Sequence, residues 1–373
     1  MKTPNGYEVI QLFENFSPKY LAAEGDPIGL QIGTLSKKVK KVIVALDVTE
    51  EVVDEAITEG VDLIIAHHPL IYRPLKKVIS EQPSGRTVEK LIKHDIALYV
   101  AHTNLDIAEG GVNDMLAEAL ELKDTSILKV THREKLHKLA VYVPVSAEHE
   151  VREALGNAGA GSLGNYSHCS FTLSGTGRFK PDREADPYIG SPGEFEHVDE
   201  VKVEVVVTEP SVNKVVKAML KAHPYEEVAY DLYVLENETG KEFGLGRVGA
   251  ASESVSLKEY AEHVKKALDV PSVRVIGNMD AVVKKVAVLG GDGDKFVRNA
   301  QFAGADVFIT GDIYYHTAVD FKQEGMNIID PGHNVEKIMK KGVARKMSAL
   351  CKDAGYEIEF IASKIDTNPF QVV

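Results

Sequence analysis

The feature that most constrains the fold is an alternation of short apolar runs with amphipathic segments at both ends of the chain. In the first third, the apolar runs 40–49 and 61–69 flank a segment of helical periodicity that Gly60 closes. The last third repeats the pattern, with apolar runs at 306–312 and 326–333. Strands and helices that alternate in this way predict parallel βαβ units, so we expect an α/β fold with a two-lobed parallel-sheet core.

The middle of the chain follows a different order, strand–helix–strand–strand–helix–strand, which is the ferredoxin-like arrangement. Ser146 is a suitable N-cap for the first of its helices, and Pro210 suits the first position of the second. The aperiodic stretch 177–200 predicts an exposed loop, and a polar, glycine-containing stretch, 236–246, follows the last predicted strand. We therefore expect an inserted ferredoxin-like (βαββαβ) domain. The predicted division is 1–126 for the first α/β lobe, 127–245 for the inserted domain and 246–373 for the second α/β lobe.

The composition excludes several classes of protein. A length of 373 residues predicts more than one domain, and a net charge of -13 argues against broad electrostatic binding to nucleic acid or membrane, although a local basic patch stays open. No apolar run approaches the roughly 18 residues of a transmembrane helix, and the first residues lack an apolar signal region. Only Cys169 and Cys351 are present, which fits a reducing compartment and excludes a multi-cysteine zinc site. We expect a cytoplasmic protein.

Residues with metal-binding side chains stand where predicted strands end. His67 and His68 close the apolar run LIIAHHP, and His102 and Asp106 lie at the end of the next predicted strand, 97–106. In parallel α/β sheets, ligands gather beyond the carboxyl ends of the strands. These side chains are therefore expected to meet at one edge of the sheet.

The last third supplies a matching pair. His333 follows a predicted strand, and Glu336 comes three residues later on the same helical face. Imidazole nitrogen and carboxylate oxygen are the ligand set for zinc, iron or manganese. Each motif alone has a simpler interpretation: a structural turn for HHP, a capping pair for H-x-x-E, and turn residues for Asn104 and Asp106. Their convergence at strand ends favours a metal site.

Two further motifs leave alternatives open. The sequence GGDGD (290–294) follows a strand and either cradles a phosphate or, as we favour, forms a tight turn, because its acidic residues would repel phosphate. The stretch AHPYEEVAYDLY (222–233) surrounds His223 with aromatic and acidic residues. It is either a ligand or partner surface, or the packing of a helix-to-strand turn.

Taken together, the motifs resemble those of the NGG-interacting-factor-like family, whose bacterial members are often called GTP cyclohydrolase I type 2 homologs. The middle region resembles the PII/CutA-type insert of the longer members. The motifs that carry the resemblance, in chain order, are DPIGLQIG (26–33), AHHPLIY, AHTNLD, AHPYEEVAYDLY, GLGRVG (244–249), TGDIYYH (310–316), DPGHNVEK and the tail TNPF.

The resemblance implies a site for two divalent metal ions and a toroidal homohexamer. It makes His67 a ligand of one ion and His68 a ligand of the other, and it leaves open which carboxylate bridges the ions. The full implied ligand set is His67, His68, Asp106, His333 and Glu336. His102 and His316 also lie in matching motifs, and we interpret them as catalytic groups that either orient the metal ligands or face the substrate, a role that Asp312 could share; the alternative for His316 is a helix N-terminal residue without a function. Zinc is the expected metal, with iron or manganese as alternatives.

Three functions remain open. The first is a metal-dependent hydrolase that uses a metal-activated water on a nucleotide or other phosphate-bearing substrate. The second is a metal-dependent small-molecule sensor or regulatory ring that uses the inserted PII-like domain without catalysis. The third is a structural ring whose metals stabilise the fold.

Overall fold

The computed structural model describes residues 2–372, apart from the side chains of residues 237–239. The chain divides into two compact units, one formed by residues up to 131 and from 243 onward, the other by residues 132–242. The strands β1 to β13 are Gly29–Ile32, Lys41–Ala45, Leu63–Ala66, Ala97–Val100, Lys123–Pro144, Ser170–Phe179, Glu196–Thr208, Tyr230–Ser256, Arg274–Ile276, Val282–Asp292, Val307–Gly311, Asn327–Asp330 and Glu359–Ala362. The helices α1 to α11 are Gly6–Phe16, Glu50–Thr58, Pro83–Lys93, Thr103–Ile107, Val112–Ala119, Glu148–Asn157, Val212–Ala222, Leu257–Ala267, Val297–Phe302, Tyr315–Gln323 and Ile338–Asp353.

The first sheet of the larger unit has the strand order β1-β4-β3-β2-β13. Its strands β2, β3 and β4 run parallel, as the βαβ pattern predicts, and β13 pairs parallel with β2. At the opposite edge β1 runs antiparallel to β4. The last strand of the chain therefore completes a sheet that the first third begins.

The second sheet has eight strands and includes the run β8-β10-β11-β12-β9. The three inner strands are parallel, whereas β8 and β9 run antiparallel to their neighbours. The core is therefore mixed α/β and not the purely parallel structure that the sequence predicts. Antiparallel strands beside a parallel run are common in mixed sheets, because an antiparallel partner does not need a crossover helix.

Both faces of the central strand β3 are buried, which explains why this strand is apolar throughout. On β3, Leu63 and Ile65 contribute to a core cluster that also holds residues of α5, α11 and the second sheet. Ile64 and Ala66 point to the other face and meet residues of α2 and α3. All four side chains are fully buried. With both faces covered by apolar groups, polar side chains can extend only from the strand ends.

Several elements differ from the sequence prediction at their ends. The predicted strand 97–106 stops at Val100, and Thr103–Ile107 forms the short helix α4, so His102 and Asp106 lie one helical turn apart. The polar stretch 236–246, which the sequence places after the last strand of the middle region, lies within the long strand β8.

The predictions of Ser146 as an N-cap and of Pro210 as the first residue of a helix are also wrong. Ser146 lies in a 3₁₀ turn that precedes α6, and Pro210 lies in a 3₁₀ turn that precedes α7. Each turn places its residue before the helix begins, so neither residue takes the position expected of it. The exposed loop is shorter than predicted, because β6 extends to Phe179 and β7 begins at Glu196.

The smaller unit is built on strands in the order β6-β7-β5-β8, of which β6, β7 and β5 pair antiparallel. Its elements follow one another as strand–helix–strand–strand–helix–strand. Inward-facing residues of β5 and β7, such as Val141 and Val203, form a buried cluster with α6 and α7. Across residues 2–372, helices long and apolar enough to span a bilayer are absent.

Candidate metal centre

The histidines and carboxylates singled out by the sequence lie beyond the ends of buried strands. His67 and His68 directly follow β3, and their backbone N–H groups donate to carbonyls of the segment that continues β2. His102 follows β4 and precedes α4, which carries Asp106. Glu336 belongs to a short 3₁₀ turn that follows β12 and leads into α11. The strand ends of two sheets therefore supply one cluster.

Six of the predicted site residues meet closely enough to share an ion. Their potential ligand atoms form three groups, and within each group all atoms lie within 4.8 Å of one another. The groups are His67 with His68 and His102; His68 with His333 and Glu336; and His67 with Asp106 and Glu336.

Glu336 occupies the centre of this arrangement. Its Oε2 atom lies 3.0 Å from the Nε2 of His68, 3.2 Å from that of His333 and 3.7 Å from that of His67. Asp106 approaches the same His67 nitrogen at 3.5 Å. The Glu336 carboxylate thus contacts three imidazoles, and the Asp106 carboxylate contacts one of them, that of His67.

Every histidine of the cluster is oriented by a partner on its other ring nitrogen. The Nδ1 contacts are His67 with the carbonyl of Ala101 at 2.9 Å, His68 with Asp47 at 2.7 Å, His102 with Asp26 at 2.8 Å and His333 with Asp312 at 2.7 Å. A carbonyl oxygen can only accept, so the Nδ1 of His67 must donate, and in the neutral ring this leaves the Nε2 lone pair free for a ligand bond. Such outer partners are what fix the ring orientation of metal-binding histidines.

Two atoms of the cluster are buried without a hydrogen-bond partner. They are the Nε2 of His67 and the Oδ1 of Asp106. Buried polar atoms are nearly always paired, because an unpaired one costs about 1–3 kcal/mol. A bound cation would satisfy both of these ligand atoms.

The carboxylates of the cluster raise the pKa values of its histidines and so favour positive charge there. Burial opposes protonation of His68, but Asp47 and Glu336 outweigh it and raise its pKa to about 10. The contact with Glu336 is the main reason that the pKa of His333 rises to about 9. Burial raises the pKa of Asp106 to about 6, against the opposing effect of His67. The Glu336 carboxylate stays ionised because its histidine neighbours outweigh burial and hold its pKa well below its usual range.

Glycines at the end of β10 make room for the central carboxylate. A Cβ atom on Gly291 would lie 2.6 Å from the Oε1 of Glu336, and one on Gly290 would lie 3.2 Å from it. Gly291 also has a φ of +68°, a conformation that other residues rarely adopt. The GGDGD motif, which the sequence leaves open between a phosphate cradle and a tight turn, therefore admits Glu336 to the cluster.

The family follows from comparison with known proteins. Residues 4–369 match the family model described as Duf34/NIF3 (NGG1p interacting factor 3). The chain belongs to the NIF3 family. This confirms the resemblance drawn from the sequence motifs.

The relatives cover this NIF3-family chain from end to end. It is 56% identical over 373 residues to a Halalkalibacterium halodurans protein named GTP cyclohydrolase 1 type 2 homolog, with both chains covered in full. A Bacillus subtilis protein of the same name is 57% identical over 369 residues, or 99% of each chain. Among solved structures, a Bacillus cereus protein related to NIF3 matches with a TM-score of 0.94 at 53% identity, and a Staphylococcus aureus protein with a TM-score of 0.81 at 32% identity; both matches cover both chains in full.

The sequence reasoning missed two acids of this NIF3-family cluster, Asp26 and Asp47. Asp47 stands two residues beyond β2, so the rule that drew attention to His67 could have found it. The tail motif TNPF contributes to the cluster, because the hydroxyl of its Thr367 donates a hydrogen bond to Asp47. Asp26 accepts from both the backbone and the hydroxyl of Thr103, at 3.0 and 2.5 Å, and is a buried anchor for the start of α4.

His316 lies apart from the close groups. It is exposed in the first turn of α10, where its ring contacts that of Tyr315 at a centroid distance of 5.4 Å. None of the three groups includes it. Of the two histidines interpreted as catalytic, the structure therefore brings His102 into the cluster and leaves His316 outside it.

Proposed function

We propose that the chain binds two divalent cations at this cluster and uses them in a hydrolytic reaction on a nucleotide or another phosphate-bearing substrate. The observation that carries the proposal is the unpaired Nε2 of His67 facing the unpaired Oδ1 of Asp106 in a buried site. A divalent cation could bind both this imidazole nitrogen and this carboxylate oxygen, which form no hydrogen bond with each other.

The residues fit such ions in number and chemistry. All ligand atoms are imidazole nitrogens or carboxylate oxygens, which suits zinc, iron or manganese, with zinc as our expected metal. Glu336 belongs to two of the three groups, so it is the carboxylate that we propose to bridge. The proposed ligands are His67, His68, His102, Asp106, His333 and Glu336.

The charge of the cluster supports the same conclusion. Glu336 and Asp47 raise the pKa of His68, and Glu336 and Asp312 raise that of His333, so these carboxylates favour protonated histidines. A divalent cation would supply that positive charge instead of the protons. Metal binding is then expected to release protons into solution.

His102 takes a different role from the one inferred from the sequence. Its grouping with His67 and His68, and the Asp26 carboxylate on its Nδ1, favour a ligand over a proton-transfer group. His316 remains our proposed proton-transfer residue, because it is exposed and outside the ligand groups. A bound divalent cation lowers the pKa of water and neutralises charge on a substrate oxygen.

The class of substrate is inferred from charge and from relatives. A chain of net charge -13 repels anions, so an anionic substrate needs the cations of the site to approach it. Relatives that share more than half of the sequence are named GTP cyclohydrolase 1 type 2 homolog, which favours a nucleotide.

A second candidate function is a metal-dependent sensor or regulatory ring. The observation that favours it is the separate compact unit at residues 132–242, whose element order and sheet order suit an inserted ferredoxin-like domain of PII type. If the protein is a sensor, the metal cluster catalyses no reaction. The hexameric toroid stays a prediction for either function, and sedimentation equilibrium of the purified protein tests it.

The metal proposal is tested by counting ions. Purified protein is stripped with a chelator, reloaded with zinc, iron or manganese, and analysed by mass spectrometry of its metals. We expect two ions per chain in the wild type, and fewer in the Asp106→Asn and Glu336→Gln variants. His149→Gln is the control, because His149 is exposed in the smaller unit. A Glu336→Gln protein that folds and keeps two ions would refute the bridging assignment.

Turnover separates the two candidate functions. The reloaded protein is incubated with nucleoside triphosphates and phosphodiesters, and product is measured with and without chelator. For the hydrolase, His316→Gln is expected to keep both ions and lower turnover by roughly 10²–10⁴. Metal-loaded protein that hydrolyses none of these substrates would favour the sensor.

A further inference from the structure

The smaller unit contains a cavity of about 440 Å³ that plays no part in the metal cluster. Its walls come from the end of β6, the loop that follows it, the start of β7 and the turn after α7. All of its lining residues lie between 142 and 229, within the smaller unit. Small-molecule sites in proteins have volumes of roughly 300–1,000 Å³, so the cavity has the size of a ligand site.

One wall of the cavity is aromatic. The ring of Tyr225 has its centre 6.1 Å from that of Phe179 and 6.2 Å from that of Tyr188. Tyr188 lies on the loop and is 56% exposed, so its ring is open to a ligand. Clustered aromatic rings of this kind bind flat ligands by stacking, at little cost in conformational entropy.

Tyr225 is held in position before any ligand arrives. Its hydroxyl donates to the Oε1 of Glu200 at 2.9 Å, and its backbone N–H donates to the Nδ1 of His223 at 3.1 Å. Because that Nδ1 accepts, the proton of His223 lies on Nε2, which donates to the carbonyl of Tyr142 at 3.0 Å. Burial lowers the pKa of His223, which keeps this neutral form in place.

Glu200 brings an acceptor to the same cavity. Its second carboxylate oxygen faces Gly177, where an added Cβ would lie 2.2 Å away, so the glycine leaves the space in which this carboxylate lies against β6. Among the described residues, no lysine or arginine forms a salt bridge with Glu200. The lysine of the lining, Lys180, instead places its Nζ 5.0 Å from the ring centre of Phe195. The Glu200 carboxylate therefore keeps acceptor capacity for a ligand.

We propose that this cavity binds a planar nitrogen heterocycle that carries an exocyclic amine, such as an aminopurine base. The aromatic wall stacks against the flat ring, and the Glu200 carboxylate accepts from the amine. A hydrogen bond from a neutral donor to a charged acceptor contributes about 1.5–3 kcal/mol, so the amine decides which heterocycles bind. The site is separate from the metal cluster and does not depend on the proposed hydrolysis.

The probe is 2-aminopurine riboside, which is fluorescent and loses fluorescence when it stacks. The chain has no tryptophan, so the protein itself interferes little. Titration of the full chain with the probe is expected to show saturable quenching with a dissociation constant below about 1 mM, the weak end of specific binding. Purine riboside, which lacks the amine, is expected to compete at least about tenfold more weakly.

Variants locate the site. Tyr188→Ala removes a stacking ring, and Glu200→Gln keeps an oxygen for Tyr225 but removes the charge; each is expected to weaken probe binding about tenfold or more. Tyr166→Ala is the matched control, because Tyr166 is a 75% exposed tyrosine of the same unit outside the cavity lining. Circular dichroism of each variant verifies the fold.

Three results would overturn the proposal. The first is the absence of saturable quenching at millimolar probe, and the second is equal affinity in folded Tyr188→Ala and wild-type protein. The third is a probe affinity that Asp106→Asn abolishes and Tyr188→Ala does not change. That result would place the probe at the metal cluster.

Discussion

Replacing Gly291 by alanine tests whether the glycine turn of β10 exists to admit Glu336. Real Cβ atoms essentially never come within 3.0 Å of another heavy atom, whereas the new one would lie 2.6 Å from the Glu336 Oε1. The carboxylate must therefore move by about 0.4 Å, the difference between these two distances. Metal–ligand distances tolerate changes of only about 0.2 Å, so the displacement is large enough to weaken binding.

The substitution also has a cost unrelated to the metal. Gly291 has a φ of +68°, and alanine in this left-handed region costs roughly 1–2 kcal/mol. Gly304→Ala is the matched control, because Gly304 has a φ of +71° and no atom within 4 Å of its added Cβ. Both variants are expected to lose similar stability in urea, whereas Gly291→Ala alone loses affinity for metal.

The assay is a competition titration with a chromophoric chelator, performed on both glycine variants and the wild type. We expect Gly291→Ala to bind metal about tenfold or more weakly, which corresponds to about 1.4 kcal/mol or more. Gly304→Ala is expected to match the wild type. Equal metal affinity in all three proteins would refute the reasoning that the turn positions Glu336.

Other residues carry predictions of their own. Asp47→Asn weakens the group that orients His68 and is expected to lower metal affinity by roughly 10- to 100-fold, measured by the same titration; unchanged affinity would show that the ring needs no such partner. Asn113→Ala breaks two buried hydrogen bonds that join α4 to the glycine turn of β10. The free energy of unfolding in urea is expected to fall by roughly 2–4 kcal/mol, and a loss under about 0.5 kcal/mol would contradict this prediction. Burial raises the pKa of the Cys351 thiol to about 11, so at pH 8 the reactive thiolate is scarce and appears only as the pH approaches 11. Iodoacetamide at pH 8 is expected to modify the partly exposed Cys169 first, and peptide mass spectrometry that found Cys351 modified first would reverse this ranking.

The histidine cluster was predictable because it follows one rule of α/β proteins. The pair His67 and His68 ends an apolar run, and His333 ends another, so both could be assigned to strand ends from the sequence alone. The same rule applied to Asp47 would have found the partner of His68. The family match confirms the resemblance that these motifs carry.

Other features depend on contacts between residues far apart in the chain, which no local pattern records. Glu336 is central because β10 ends in glycines that leave space for it, and this requires knowing that β10 lies beside the turn. The position of Asp106 on a helix was missed because the apolar run through Ala101 continues the strand pattern, whereas the chain turns at His102. The antiparallel pairing of β1, β8 and β9 was missed for a similar reason, since the direction of pairing leaves the apolar pattern of a strand unchanged.

The pairing of β13 with β2 has a consequence for the order in which this protein can mature on the ribosome. Strand β2 emerges early, but its partner at residues 359–362 is among the last parts to be synthesised. Until then one edge of the first sheet stays open, and an apolar open edge invites pairing with another chain. A ribosome that stalls before β13 would therefore release a fragment prone to aggregate, and one that stalls before residue 333 would also lack two of the proposed metal ligands.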